Sequence, residues 1–456
     1  MSLTRRVIRD LAALSRGGMP APVMASARLH FLDAIGTGPA AAGSAVGAPY
    51  RNYAAALRED GVASLLAWPG GASAASAALV NGGLVHSLEY DDTHTGSIVH
   101  GSAVAMAAAL AVAEQLGADS ARMVGAYARG YEFLVRIGLA APGGFQRHGF
   151  QVTSVAGTLA AALIAADLRG LDEDQAVAAL GIALSQGSGV FEFLTNGSSV
   201  KSLHPGWAAH GGVIAAGLAQ AGMTGPETAI EGSRGLFPVF ARDPEAAARF
   251  AAQWDDLGRR WHMPDTAFKF SPCCHYLHPF IEAAGILAAH GVEAEAIAEV
   301  ICEVPPGAEA VICEPWEAKL AVPTGHAGRW SLPITVAARF VEGKVDLATF
   351  EQPASAAVRT LAGRVRWVVM ENAGFPRLFG AALTCVMADG TRHHLRIADA
   401  HGNATRPPEA AEVLAKFRAN AALSLTPDAV ATLEAGLMGD DLPRVSAALR
   451  QARRPG

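Results

Sequence analysis

Apolar residues recur with a period near 3.6 through most of the first 260 positions, which is the signature of helices that bury one face. Val7, Ile8, Leu11 and Leu14 share one side of a first amphipathic helix. Apolar helices are predicted over 74–88, from about 103 to 116, and from 155, with glycine at the joins and few β-branched runs. The pattern changes near Trp261. Segments 297–304, 365–370, 381–387 and 393–397 alternate or are β-branched and predict strands, and Ala-Asp-Gly-Thr at 388–391 closes the last two as a hairpin. Segments 332–341 and 354–361 predict helices on that sheet, and helical patterning returns over 409–421, 427–437 and 442–451. The expected fold class is mainly α. Residues 1–260 and 405–456 form an all-helical domain, and an α+β domain over 261–404 is inserted before the C-terminal helices.

Composition adjusts this picture in a few places. A chain of 456 residues exceeds one ordinary core, so two domains are expected. With 51% hydrophobic and 17% charged residues, apolar material is in surplus and suggests a buried subunit interface. A net charge of −6 argues against a nucleic-acid partner, which needs a basic stripe. No apolar run reaches the roughly 18 residues that span a bilayer, so no membrane partner is expected. The basic start at Arg5 and Arg6 is interrupted by Asp10, Arg16 and Gly17, unlike a signal-peptide core. Five cysteines at irregular spacing fit a reducing, cytoplasmic location without a disulfide framework.

The densest chemistry lies between the helices at 74–88 and 103–116. Glu89, Asp91, Asp92, Thr93, His94 and His100 crowd a short polar segment there, although unpaired buried charge is expensive. Four polar turns each lead into an apolar helix: His100-Gly101-Ser102 before 103, Gln151-Val152-Thr153-Ser154 before 155, Lys201 to Gly206 before 207, and Ser271 to His275 before about 276. Helix N-termini carry free N–H groups and about half a positive charge, which suits anions. If these ends converge, Lys201, Lys269 and the imidazoles make an electropositive pocket for a small polycarboxylate. Simpler readings stand beside this one. Ser102, Thr153 and Ser154 can be ordinary N-caps, and His86 can be a hydrogen-bonded helix histidine. No fixed metal motif such as HExxH occurs around His86, His94 and His100, so no metal is expected. Cys273-Cys274 is adjacent rather than CxxC, and no nucleotide-binding glycine loop is present.

The run ALVNGGLVHSLEYDDTH…HGSAVAMAAALAVAEQLGA resembles the MmgE/PrpD family, which includes 2-methylcitrate dehydratase, cis-aconitate decarboxylase and iminodisuccinate epimerase. GFQVTSVAGTLAAA, VKSLHPGWAAHGGVIAAGLAQAGMTGP, FKFSPCCHYLHPFIEA and RWSLPITVAARFVEGKV keep the same order along the chain. The resemblance implies a helical domain plus a smaller α+β domain, a homodimer, and no organic cofactor. Three departures stand out. Glu89 replaces the family's usual first aspartate, Gln151 replaces a histidine, and His100-Gly101-Ser102 replaces HPS.

What the resemblance implies is proton removal or decarboxylation beside a carboxylate, with the charge stabilised by lysines, imidazoles and helix-end N–H groups. His100 is the expected base, with Glu89 or Asp91 orienting it or acting as partner acid, and Lys201 completing the catalytic group. Asp92, Thr93, Gln151, Thr153, His204, Lys269, His275 and His278 are the expected substrate-binding residues. The expected activity is that of a cofactor-independent hydro-lyase on a hydroxy-polycarboxylate, 2-methylcitrate dehydratase-like. A decarboxylase or an epimerase on the same scaffold is the alternative, and a non-catalytic polycarboxylate-binding protein a further one.

Overall fold

The computed structural model describes residues 1–451 except 67, 196, 197, 323 and 376. The chain divides into two compact units. One comprises 1–87, 91–266 and 409–456, and the other comprises 88–90 and 267–408.

The first unit is helical. In chain order its elements are α1 (Leu3–Gly17), α2 (Ala21–Ala42), α3 (Ala48–Leu57), a short hairpin of β1 (Ala63–Leu65) and β2 (Trp68–Ala72), α4 (Ala74–Ser87), α5 (Gly101–Leu116), α6 (Ser120–Ala140), α7 (Gly144–Arg147), α8 (Val152–Arg169), α9 (Glu173–Leu184), α10 (Leu203–Gln220) and α11 (Ala246–Trp254). The hairpin departs from the all-helical expectation. Its Trp68-Pro69-Gly70-Gly71 sequence carries no period that would announce a strand. Helix ends follow local rules. Asp172 and Gln175 make a reciprocal capping box at the start of α9, and Gly170 ends α8 in the left-handed region at φ 64.

Helices α4, α5, α8 and α10 pack together at the centre. In α8 every residue is buried except Asp167 and Arg169. This helix has the length and mean hydropathy (1.4) to cross a membrane, yet 89% of it is buried inside the protein. Its apolar run stops at Ala166, short of a span. One close helix crossing is made by glycines. A Cβ on Gly206 of α10 would lie 2.2 Å from the Leu79 carbonyl oxygen and 2.8 Å from the Gly83 nitrogen of α4. Gly206→Ala is therefore expected to cost about 1–3 kcal/mol by overpacking, read as a lower urea midpoint. An unchanged midpoint would show that the two backbones can separate freely.

The C-terminal helices α17 (Ala410–Ala421), α18 (Pro427–Met438) and α19 (Leu442–Leu449) return to this unit, and α17 packs on α2. Lys416 of α17 places its ammonium 2.8 and 2.9 Å from the two carboxylate oxygens of Asp33, with both side chains almost fully buried.

The second unit carries the sheet and the helices α12 (His278–Ala289), α13 (Glu309–Ile312), α14 (Trp316–Leu320), α15 (Leu332–Glu342) and α16 (Ala356–Ala362). Strands β3 (Ile297–Val304), β4 (Val365–Val369), β5 (Ala381–Met387) and β6 (Arg392–Ile397) lie in the order β4-β3-β5-β6. Only the β3–β4 pair is parallel, with Val300 opposite Val365. Val300 also faces Cys385 across the antiparallel β3–β5 ladder. Phe280 of α12 and Val336 of α15 join Cys302, Leu383 and Cys385 in one core. All five cysteines are free and buried, and burial pushes the Cys313 and Cys385 thiols up to about 12, which makes them poor nucleophiles.

Candidate active site

The polar segment after α4 is shaped by a tight loop. His94 and Val99 exchange backbone hydrogen bonds of 2.9 and 3.3 Å. This closes the turn around the short helix Thr95–Ser97 and returns the chain at His100 to Thr93. The His100 Nδ1 then lies 3.0 Å from Thr93 Oγ1 and 3.2 Å from the Asp92 carbonyl oxygen. Because that carbonyl can only accept, Nδ1 carries the ring proton and Nε2 keeps the lone pair. The His100 backbone N–H donates to Thr93's counterpart on α8, Thr153 Oγ1, at 3.0 Å.

Two further imidazoles are held in the same way. His86, at the end of α4, has Nδ1 2.8 Å from Asp91 Oδ2, and both residues are fully buried. His204, in the first turn of α10, has Nδ1 2.6 Å from Gln151 Oε1 at the N-cap of α8. The His86 and His100 ring centroids are 5.0 Å apart. Burial, with the nearby His86 and Lys201, holds the His204 imidazole down at about 4. Ser154 Oγ donates to the His204 carbonyl at 3.2 Å. The N-terminal ends of α5, α8 and α10 thus meet within the first unit, together with the C-terminal end of α4. Lys201, half-buried, lies in the turn just before α10.

Several expectations need correction. Three helices open earlier than the turns suggest, at Gly101, Val152 and Leu203, and the fourth opens slightly later, at His278. Pro205 belongs to the first turn of α10, where its missing N–H would have no partner anyway. The hydroxyls of Ser102, Thr153 and Ser154 do not cap their own helices but bind other segments. Asp91 is hydrogen-bonded to His86. Asp92, expected to bind substrate, is 1% exposed and anchors the loop. Its carboxylate accepts from Ser102 N at 3.1 Å, Ser102 Oγ and Tyr131 OH at 3.2 Å, and lies 3.1 Å from His30 Nδ1. His94 folds back on Ser97 and packs on His262, 5.6 Å away. Burial, His262 and Arg260 push it down to about 3.

The remaining expected residues belong to the second unit. Lys269 is fully buried and donates to the Glu89 carbonyl at 3.1 Å, while Arg329 donates to the Leu88 carbonyl at 3.0 Å. Glu89 itself is buried with a left-handed backbone at φ 53. His275 and His278 stack edge to face at 4.8 Å, and His275 also meets Phe379 at 5.0 Å.

His30 and Asp33 behind the site carry no motif. Their signal was spacing: His30, Asp33 and Thr37 recur at helical intervals inside an otherwise apolar stretch. Among the described residues, His86, Asp91 and His100 can each offer one ligand atom within 4.8 Å of the others, which fits a divalent cation held by two imidazoles and a carboxylate. In this structure His86 Nδ1 and Asp91 Oδ2 share a hydrogen bond instead. With the bond intact, prolonged chelation is expected to leave turnover unchanged. Activity lost to a chelator and restored by a divalent ion would replace the proton-sharing pair with a metal.

A helical unit with imidazoles gathered at helix N-termini, in a chain that also carries an α+β unit, is an architecture suited to chemistry on small anions. The chain belongs to the MmgE/PrpD family. Residues 10–249 match its N-terminal domain and residues 271–436 its C-terminal domain. It is 27% identical over 300 residues to the cis-aconitate decarboxylase-like protein oryM of Aspergillus oryzae, covering 62% of this chain and 61% of that protein. It is 26% identical over 292 residues to cis-aconitate decarboxylase of Aspergillus terreus (62% and 59%) and over 375 residues to that of Homo sapiens (78% and 74%). The match thus spans less than two thirds of the length of either fungal relative.

Proposed function

We propose that this chain is a lyase acting on a small polycarboxylate without an organic cofactor, and that it removes water from a hydroxy-polycarboxylate in the manner of 2-methylcitrate dehydratase. The observation that carries this reading is the shared arrangement of His86, His100 and His204, each held through Nδ1 where helix N-termini meet. His100 Nε2 takes the proton from the carbon beside a substrate carboxylate. Helix-end N–H groups and Lys201 stabilise the enediolate-like charge that follows. The C–O bond then breaks, and His86, held in place by Asp91, delivers a proton to the leaving hydroxyl. Val190, Leu194, Trp207 and Ile214 leave apolar side chains exposed on the first unit, and a second copy of the chain is the partner this reading assigns them.

The relatives' names favour a second reading. A decarboxylase would use the same donors to stabilise the charge left when CO₂ departs, and would only return a proton to carbon. Purified protein should be incubated with hydroxylated and unsaturated tricarboxylates while ultraviolet absorbance and CO₂ are followed. New absorbance without CO₂ from a hydroxy acid is expected. CO₂ from an unsaturated acid would establish the second reading, and no turnover of any acid would overturn both.

A further inference from the structure

One pair in the first unit differs in chemistry from the donors around it. The helix N-termini and Lys201 are all hydrogen-bond donors, suited to carboxylates. Gln151 and His204 together present an acceptor. The Gln151 backbone is fixed on both sides: its N–H donates to the Gly189 carbonyl at 2.9 Å, and its carbonyl accepts from Ser154 N and Val155 N at 3.0 and 3.1 Å. Its side chain makes no cap bond to α8 and instead sets Oε1 2.6 Å from His204 Nδ1. An amide oxygen only accepts, so Nδ1 bears the proton and the neutral ring keeps its lone pair on Nε2. The ring is held against Phe193, with centroids 5.8 Å apart, and its backbone by Ser154. Burial, with His86 and Lys201 nearby, opposes a second proton.

We propose that the Gln151–His204 pair reads a hydroxyl group on the substrate, with His204 Nε2 accepting from that hydroxyl and Gln151 acting as the positioning residue that fixes the tautomer. This rests on the polycarboxylate reading above and sharpens it. Apart from the base His100, this fixed acceptor stands among donors and is matched by a ligand that brings a donor, and a hydroxy-polycarboxylate does so where its dehydrated product does not. A site built around such a bond rejects analogues that lack the partner, because its own polar group is then left unpaired.

Citrate and tricarballylate differ only by the hydroxyl, so their binding to the intact protein by calorimetry is the direct test. Citrate is expected to bind about tenfold more tightly or better, the value of one hydrogen bond to a buried acceptor. Gln151→Glu places a carboxylate against Nδ1, favours the imidazolium and turns Nε2 into a donor. The preference should then fall to near unity while tricarballylate binding is kept. Nitrogen NMR of labelled histidine should show His204 as the neutral Nδ1–H tautomer in the wild type and as imidazolium in the variant at pH 7. Equal wild-type affinity for the two acids, or an imidazolium at 204 in the wild type, would overturn the proposal and leave the polycarboxylate reading standing. Binding of neither acid would overturn that reading itself. The wild-type comparison decides the matter even where the variant does not fold.

Discussion

His100→Ala is expected to lower turnover by about 10²- to 10⁴-fold with the fold retained, the range for removing a positioned general base. The substitution leaves the framework of the loop in place. The loop is closed by the backbone pairing of His94 with Val99, and the anchor to α8 uses the His100 backbone N–H, which alanine keeps. The His100 ring is only half-buried, so its loss leaves no large cavity. What disappears is a lone pair aimed by two acceptors on Nδ1, Thr93 Oγ1 and the Asp92 carbonyl. Thr93→Val removes one of those acceptors and should cost less, about tenfold, by loosening the ring without removing it. Steady-state kinetics on the acid that the substrate panel identifies, with thermal melts as the control for folding, measure both. Unchanged turnover in a folded His100→Ala protein would remove His100 from the mechanism.

How much of this could be read from the chain depends on the range of the forces involved. Strands β3 and β5 follow from β-branched alternation, and the turn at Asp389-Gly390 follows from glycine's access to φ 87, because both are local properties. The polar turns before α5, α8 and α10 were legible for the same reason, and the structure brings these three together. Pairings across long separations were not legible. Asp91 could have faced His86 or His100, five residues before it or nine after, and helix packing rather than spacing sets its hydrogen bond to His86. Gln151 and His204 are 53 residues apart and meet only because α8 and α10 pack side by side. Asp92 reads as a site residue by its neighbours in sequence, yet contacts from α2, α5 and α6 make it the anchor of the loop.

The second large effect concerns stability. Lys416→Met should destabilise the protein by about 3–5 kcal/mol at pH 7, since it strips the counterion from a fully buried carboxylate. Burial raises the Asp33 carboxyl above its ordinary 3.8, Lys416 is the largest opposing influence, and Asp92 raises it further. A carboxyl raised on folding binds more protons in the folded state than in the unfolded chain. Stability from this group is therefore present below pH 3.8 and declines as pH rises through the folded value. Losing Lys416 raises that folded value further, so the defect should be smaller at pH 5 than at pH 7, where Asp33 must ionise without a partner. Urea unfolding at the two pH values measures this. The double replacement Asp33→Leu with Lys416→Met should recover most of the loss, because an apolar pair has no charge to desolvate. Equal losses at pH 5 and pH 7 would place the cost in lost packing of the lysine stem between α17 and α2, and not in the stranded charge.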